Sequence, residues 1–333
     1  MNVALVSLAS SGTGGHRTLL NTIADGLTSH RTVLITDTPV AYANTFSDVS
    51  ALTPVKGIKS TAGRIEHPSS DDIVKALDDH RIEHVVFSTF FDERVLEHAR
   101  SRGLERTLVS YPLRDTFREL FFLRAYERLF DNVVILEDFG LEQPYREQGA
   151  RIARYDPKIA PGGEREQNIL VSCGGGGLPS ASTFFSVVSS ALEKATNELA
   201  DYAIDVSYGT HNQPPHIGLP NVTVRKWFPD FVDRARSSRL VIGEAGYFTT
   251  HEAVSTGTPM ILIPGHRRTD NQELRAVELE RRGYGTVVFP EEGADRLYRS
   301  VVHSLRSAAP YVPPSSTIPT VEDAITAIIE GRT

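Results

Sequence analysis

The chain has 333 residues, 40% of them hydrophobic and 23% charged, with a net charge of −7 and a single cysteine, Cys173. The length suits two domains with separate cores, and the ordinary composition excludes a mainly disordered chain. The acidic balance offers no basic field for a nucleic-acid backbone, and one cysteine excludes an intrachain disulfide or a zinc site built from several cysteines.

The first apolar run, Val3–Leu8, reads as a buried strand. No basic residue separates Met1 from it, and a Gly-rich turn replaces a cleavage site, so a cytoplasmic N-terminus is expected rather than a signal peptide. No apolar run approaches the roughly 18 to 20 residues of a spanning helix. Further strands are predicted at Thr32–Thr36, His84–Ser88, Arg106–Tyr111 and Asn132–Leu136. Helical patterns fall near 15–28, 70–79, 91–102 and 115–129, and the segment Pro39–Pro68 fits neither pattern. The stretch YDPKIAPGGEREQ, Tyr155–Gln167, reads as a linker. A second alternating series comes after it, with strands at Asn168–Cys173, Ala203–Tyr208, Val222–Trp227, Leu240–Gly243, Met260–Pro264 and Thr286–Phe289. Its helices are expected at 180–199, 246–256, 270–282 and 293–306, and Thr320–Gly331 reads as a last amphipathic helix.

Strand and helix alternating in this way predict an α/β protein of two Rossmann-like, doubly wound domains. The expected bounds are 1–157 and 158–318, with 319–333 as a C-terminal helix that could pack back on the first domain. Ligands of such folds bind beyond the carboxyl ends of the strands, so two domains would hold them across a cleft.

Two glycine turns stand at such ends. The first is Gly12-Thr13-Gly14-Gly15-His16-Arg17. It suits a phosphate at a helix N-terminus, and equally a plain tight turn. Arg17 replaces the third glycine of a dinucleotide fingerprint, which weakens that reading even though Asp37 stands where a ribose-binding acid would. The second is Ser172-Cys173-Gly174-Gly175-Gly176-Gly177, where bare backbone could cradle a diphosphate or form a flexible loop. No Lys-Ser/Thr comes after it, so it is not a Walker A loop. His16 could act as a base near neutral pH or be structural. No metal-ligand cluster, Asp-x-Asp pair or nucleophile elbow is present, and Cys173 is best read as a buried thiol.

The most informative stretch is LVIGEAGYFTTHEAVSTGTPMILIPGHRRTDNQELRAVELERRGYG, residues 240–285. Glu252 lies on the helix after Gly246, where a carboxylate could grip two ribose hydroxyls or face solvent. Asp270-Asn271-Gln272 opens the next helix; the amides suit sugar hydroxyls, and Asp270 also suits an N-cap.

This stretch resembles the nucleotide-sugar half of the family 28, MurG-like glycosyltransferases, which have the GT-B architecture. Gly-Thr-Gly-Gly-His and Ser172–Gly177 resemble that family's first and second glycine loops. The segment YPLRDTFRELFFLRAYERLFDNVVILED is similar to a less characterised MurG-like branch. The resemblance implies His16 as the acceptor's base and Gly14 and Gly15 beside the phosphate or acceptor. It implies Gly174, Gly175 and Gly176 lining the nucleotide pocket, and backbone near Trp227 and Phe228 meeting the base. Ala245, Gly246 and Tyr247 would approach the diphosphate, Glu252 would bind ribose, and Asn271 and Gln272 would contact the sugar.

The implied reaction is an inverting, metal-independent transfer from a nucleoside-diphosphate sugar, with UDP the expected carrier, to an acceptor hydroxyl. The sugar nucleotide is a co-substrate and no bound cofactor is required. A nucleotide-sugar hydrolase, an epimerase of the same fold, or a non-catalytic sugar-nucleotide-binding subunit are the alternatives. The acceptor could be a small molecule or lipid-linked; the segment Phe117–Phe130, rich in aromatics and arginines, would then make peripheral membrane contact, or else simply cover the core.

Overall fold

The computed structural model describes residues 1–8, 14–36, 51–54, 57–59, 65–124, 126–159, 164–174, 179–209, 212–267, 269–307 and 310–332, and for residues 14–17, 51–68 and 179 the backbone only. The chain divides into two compact units, Met1–Tyr155 with Thr317–Thr333, and Asp156–Ser316.

In the first unit the strands are β1 (Asn2–Ser7), β2 (Arg31–Thr36), β3 (Ala51–Pro54), β6 (His84–Ser88), β7 (Glu105–Ser110), β8 (Asn132–Leu136) and β9 (Arg151–Ala153). They pair in the order β3-β2-β1-β6-β7-β8-β9, all parallel. A small antiparallel pair, β4 (Gly57–Lys59) with β5 (Ile65–Pro68), stands apart. The central runs are apolar on both faces because helices cover both sides of a parallel sheet, so every residue of His84–Ser88 is buried. The helices are α1 (Gly14–Gly26), α2 (Ser70–Asp79), α3 (Glu93–Ser101), α4 (Asp115–Leu123) and α5 (Gln143–Glu147). Ser69 and Asp92 cap α2 and α3 by accepting the N–H groups of Asp72 and Val95.

The chain returns to this unit at its end. Thr320 bridges to Arg154 and caps α11 (Val321–Ile329). That helix lies so close to α1 that a Cβ on Gly26 would stand 2.7 Å from the Cβ of Glu322. Thr326 Oγ1 donates to Gly26 O at 3.2 Å.

The second unit orders its strands β12-β11-β10-β13-β14-β15. They are β10 (Asn168–Ser172), β11 (Ala203–Ser207), β12 (Val222–Arg225), β13 (Leu240–Gly243), β14 (Met260–Leu262) and β15 (Gly285–Val287), again all parallel. Helices α6 (Pro179–Lys194), α7 (Phe231–Ser237), α8 (Tyr247–Ser255) and α9 (Gln272–Arg281) stand between successive strands, and α10 (Gly293–Ser307) comes after β15. One core of Ile169, Val171, Phe184, Val188, Ile204, Ile242, Ile261 and Val301 unites the sheet with α6 and α10.

Sequence expectation and structure differ in places. The helix expected over 115–129 ends at Leu123, and a separate 3₁₀ turn is found at Tyr126–Leu129. Within Pro39–Pro68 the described backbone forms β3, β4 and β5, and Asp37 lies outside the described residues. His80 ends α2 whereas His84 begins β6, so the two share no helical face.

Arg165 fastens the second unit. Its guanidinium donates to Ser238 O and Thr258 Oγ1 at 2.9 and 2.8 Å and to Gly257 O at 2.9 Å. Gly257 itself has φ +66°, and a Cβ there would meet Tyr311 O at 2.4 Å. Gly257→Ala therefore combines backbone strain with a clash and should cost about 2 kcal/mol or more. A thermal unfolding midpoint equal to the wild type would contradict this.

Candidate functional site

The site is built by register. In the second sheet Ser207 pairs with Arg225 and with Ser172, Ser172 with Gly243, and Gly243 with Leu262. Strands β12, β11, β10, β13 and β14 thus reach their carboxyl ends in one row. The turns beyond them must share one edge. Strand order reverses between β10 and β13, which is where open α/β sheets take their ligands.

Gly174 comes after β10 with φ +65°. A Cβ on it would stand 3.8 Å from Thr249 Oγ1 on α8. Glu252 is one turn beyond Thr249 on the same helix, half-buried, so Gly174 and Glu252 belong to one locality. Gly175 and Gly176 lie outside the described residues. Ala245 is buried, Gly246 is the N-cap of α8, and the first-turn N–H groups of that helix open at the same edge. Gln272, buried, accepts the N–H of Gly265 at 2.9 Å, and its Nε2 would lie 3.7 Å from a Cβ on Gly246. Asn271, rather than Asp270, caps α9, accepting from Leu274 N at 3.4 Å. Asp270 instead receives Arg275 Nη2 at 2.8 Å.

Trp227 is half-buried and Phe228 buried beyond β12, on the same row. The Phe228 ring carries the Arg234 guanidinium 4.4 Å from its centroid. Tyr247 stacks on His251 at 4.2 Å.

Three residues of this edge escaped sequence reasoning. Arg275 is completely buried, donating to Ala245 O at 2.8 Å, with its guanidinium 5.5 Å from the Tyr247 ring. Glu244 and Arg267 form a second buried pair. Only the acid directly after an apolar strand, Glu244, left any sequence signal. Glu244 and Arg267 find each other across two turns, and Arg275 reaches back 30 positions to Ala245, so no local pattern encodes these contacts.

Cys173 lies against the carbonyl of Tyr208, with Sγ to O at 3.2 Å. Burial pushes its thiol up to about 12. The thiolate nucleophile is therefore essentially absent at neutral pH.

In the first unit, β1 sits where strand order reverses between β1 and β6. Gly14, Gly15 and His16 form the first turn of α1, at the carboxyl end of β1, while residues 9–13 and the His16 side chain lie outside what is described. On the neighbouring strand, Thr89 comes directly after β6 with φ +63°, unusual for a β-branched residue. Its N–H donates to Val109 O at 2.8 Å, and its Oγ1 accepts from Ser110 Oγ at 3.3 Å.

Among the described residues, no group of three or more His, Cys, Asp or Glu is placed to hold a metal ion. No helix of the described residues is long and apolar enough to cross a membrane. On α4, Phe121 is buried, whereas Leu123 is 84% exposed.

Residues 168–323 match the model of the glycosyltransferase family 28 C-terminal domain. This part of the chain is thus similar to the family 28 C-terminal domain. No curated protein matches the chain in sequence. Among solved structures, the spinosyn forosaminyltransferase SpnP is similar at TM-score 0.66 and 14% identity, over 99% of this chain and 98% of that one. MurG of Acinetobacter baumannii gives 0.57 and 14%, over 99% of each chain. A putative UDP-N-acetylglucosamine 2-epimerase of Listeria monocytogenes gives 0.65 and 12%, over 98% of this chain and 94% of that one. At such identities these likenesses establish the fold, which is GT-B with two Rossmann-like units, and the chain as a whole resembles the family 28, MurG-like enzymes.

The second unit brings Gly174, Ala245, Gly246, Glu252 and Gln272 to one sheet edge, whereas Gly14, Gly15 and His16 belong to the first unit. We expect iodoacetamide to label Cys173 at pH 8 only after denaturation; rapid labelling of the folded protein would contradict its placement. The linkage has the same sign. A thiol ionising near 9 when unfolded and near 12 when folded adds stability below pH 9 that is lost as pH rises towards 12.

Proposed function

We propose that the protein is a glycosyltransferase that moves a sugar from a nucleoside-diphosphate donor to an acceptor hydroxyl, with inversion and without a metal. The observation that carries this reading is the single edge of the second unit on which Gly174, Ala245–Tyr247, Glu252 and Gln272 converge.

The chemistry rests on the kinds of group present. The N-terminal turns of α6 and α8 supply main-chain N–H groups and positive dipole ends suited to a diphosphate. Glu252 would take the ribose hydroxyls. Gln272 has its oxygen committed to Gly265, leaving its amide N–H groups for the sugar or phosphate. Asn271 has its oxygen engaged in the cap, so its contribution to the sugar would also come from Nδ2. In the reaction the acceptor oxygen attacks the anomeric carbon, the bond to the diphosphate oxygen breaks, and His16 receives the acceptor's proton. Preorganised N–H donors stabilise the charge growing on the leaving group. UDP is the carrier we favour. For a lipid-linked acceptor, exposed Leu123 with Arg124 and Arg128 gives a point of contact with the bilayer surface.

The epimerase among the structural neighbours supports a second reading, interconversion of donor sugars without an acceptor. Incubation with UDP- and TDP-sugars separates the two. Transfer requires an acceptor, an epimerase converts the donor alone, and a hydrolase releases free sugar. His16→Ala should lower kcat by about 10²- to 10⁴-fold with little change in donor affinity. Unchanged turnover would remove His16 from the role. Glu252→Ala should weaken the donor by about tenfold or more, read by titration calorimetry.

A further inference from the structure

Glu244 has no part in the reading above, yet it occupies the centre of the donor edge. It stands directly after β13 and is 3% exposed. Arg267 Nη2 bonds one of its carboxylate oxygens. The other oxygen lies 3.0 Å from the place a Cβ on Gly265 would take, and the Ser180 side chain is 3.1 and 3.2 Å from that same place. Burial pushes the Glu244 carboxyl up, and the Arg267 guanidinium opposes that push. The carboxylate therefore bonds the β14–α9 loop from the β13–α8 turn, with the first turn of α6 close beside it.

Packing alone does not call for this pair. Arg275 already ties the β13–α8 turn to α9, and it does so with no exposed surface. A buried ion pair is costly to assemble and is seldom worth more than a well-packed apolar contact. Arg267 differs from Arg275 in retaining 11% exposure of its side chain. A guanidinium is a rigid fork of five donors, so it can hold a carboxylate with one edge and an anion with another. Its place is the loop that also carries Gly265, whose N–H is bonded by Gln272 beside Gly246.

We propose that Arg267 contacts the diphosphate of the donor, and that Glu244 is the positioning residue that aims it. This rests on the donor reading of the site. Main-chain N–H groups offer partial charges, whereas Arg267 adds a full one where the leaving group becomes more negative. Glu244 fixes the guanidinium before the ligand arrives, which spares the entropy of ordering a long side chain on binding.

The test is calorimetric titration of the whole protein with UDP, TDP, GDP, ADP and CDP, and with the corresponding nucleosides. It compares the wild type with Arg267→Gln, Arg267→Lys, Glu244→Gln and the Glu244→Gln/Arg267→Gln double variant, after circular dichroism confirms folding. We expect Arg267→Gln to weaken the preferred diphosphate by about 10- to 100-fold and the nucleoside by less than about twofold. Arg267→Lys should recover part of the loss. Glu244→Gln should weaken the diphosphate selectively, and the double variant should be no worse than Arg267→Gln alone. If Glu244→Gln does not fold, the two Arg267 variants still decide the contact. Wild-type diphosphate affinity in Arg267→Gln would overturn the proposal while leaving the donor reading intact. A further loss in the double variant would overturn the positioning role. Wild-type protein that binds none of the diphosphates would overturn the donor reading itself, and this inference with it.

Discussion

The parallel register of the second sheet is the constraint on which the site depends. Ser207, Ser172, Gly243 and Leu262 stand side by side, so the segments after four strands have no choice but to meet. Parallel pairing makes this general, because every connection must leave from the same edge and return at the other. The chemistry is then set by the residues at the end of each strand: small ones after β10 and β13, a polar loop after β14. Gly174 against Thr249, and Gly246 against Gln272, are the contacts by which those turns become one surface.

Two arginines hold that surface in shape by different means. Arg275 acts wholly inside, bonding a carbonyl, a carboxylate and an aromatic face. Arg267 is held by Glu244 and keeps a margin of exposure. Groups of this kind are costly to bury, and a soluble α/β domain can be built without them. Their concentration in the turns at the switch point, and not in the apolar centre of the sheet, matches a site that must be preorganised towards charge.

The fold was largely legible because its strongest signals are local and repeated. Runs such as NVALVS, HVVFS and NILVS are apolar on both faces, and helices between them carry caps such as Ser69 and Asp92. Those features demand a parallel sheet whatever the distant contacts are. Short elements were harder: β9 and α5 span too few residues to show a period, and α4 ends at Leu123 although the apolar pattern runs on. The glycine turns and Glu252 stood out in the sequence because their residue types are informative in themselves. Arg267 and Arg275 could not, since their bonds to Glu244 and to Ala245 O reach 23 and 30 positions back to another turn, and Glu244 offered only its place after an apolar strand. Asn271 displacing Asp270 as the cap has the same origin: Arg275 engages the aspartate, and the neighbouring amide is left to bond the helix end.

The account's central claim is that the carboxyl edge of the second sheet binds a nucleoside diphosphate. Hydrogen exchange monitored by mass spectrometry, with and without UDP or TDP, addresses it most directly, because protection reports where a ligand orders main-chain N–H groups. The account predicts protection concentrated in peptides spanning 172–182, 244–254 and 263–274. Ligand-dependent protection confined to other segments, or none at saturating nucleotide, would contradict it.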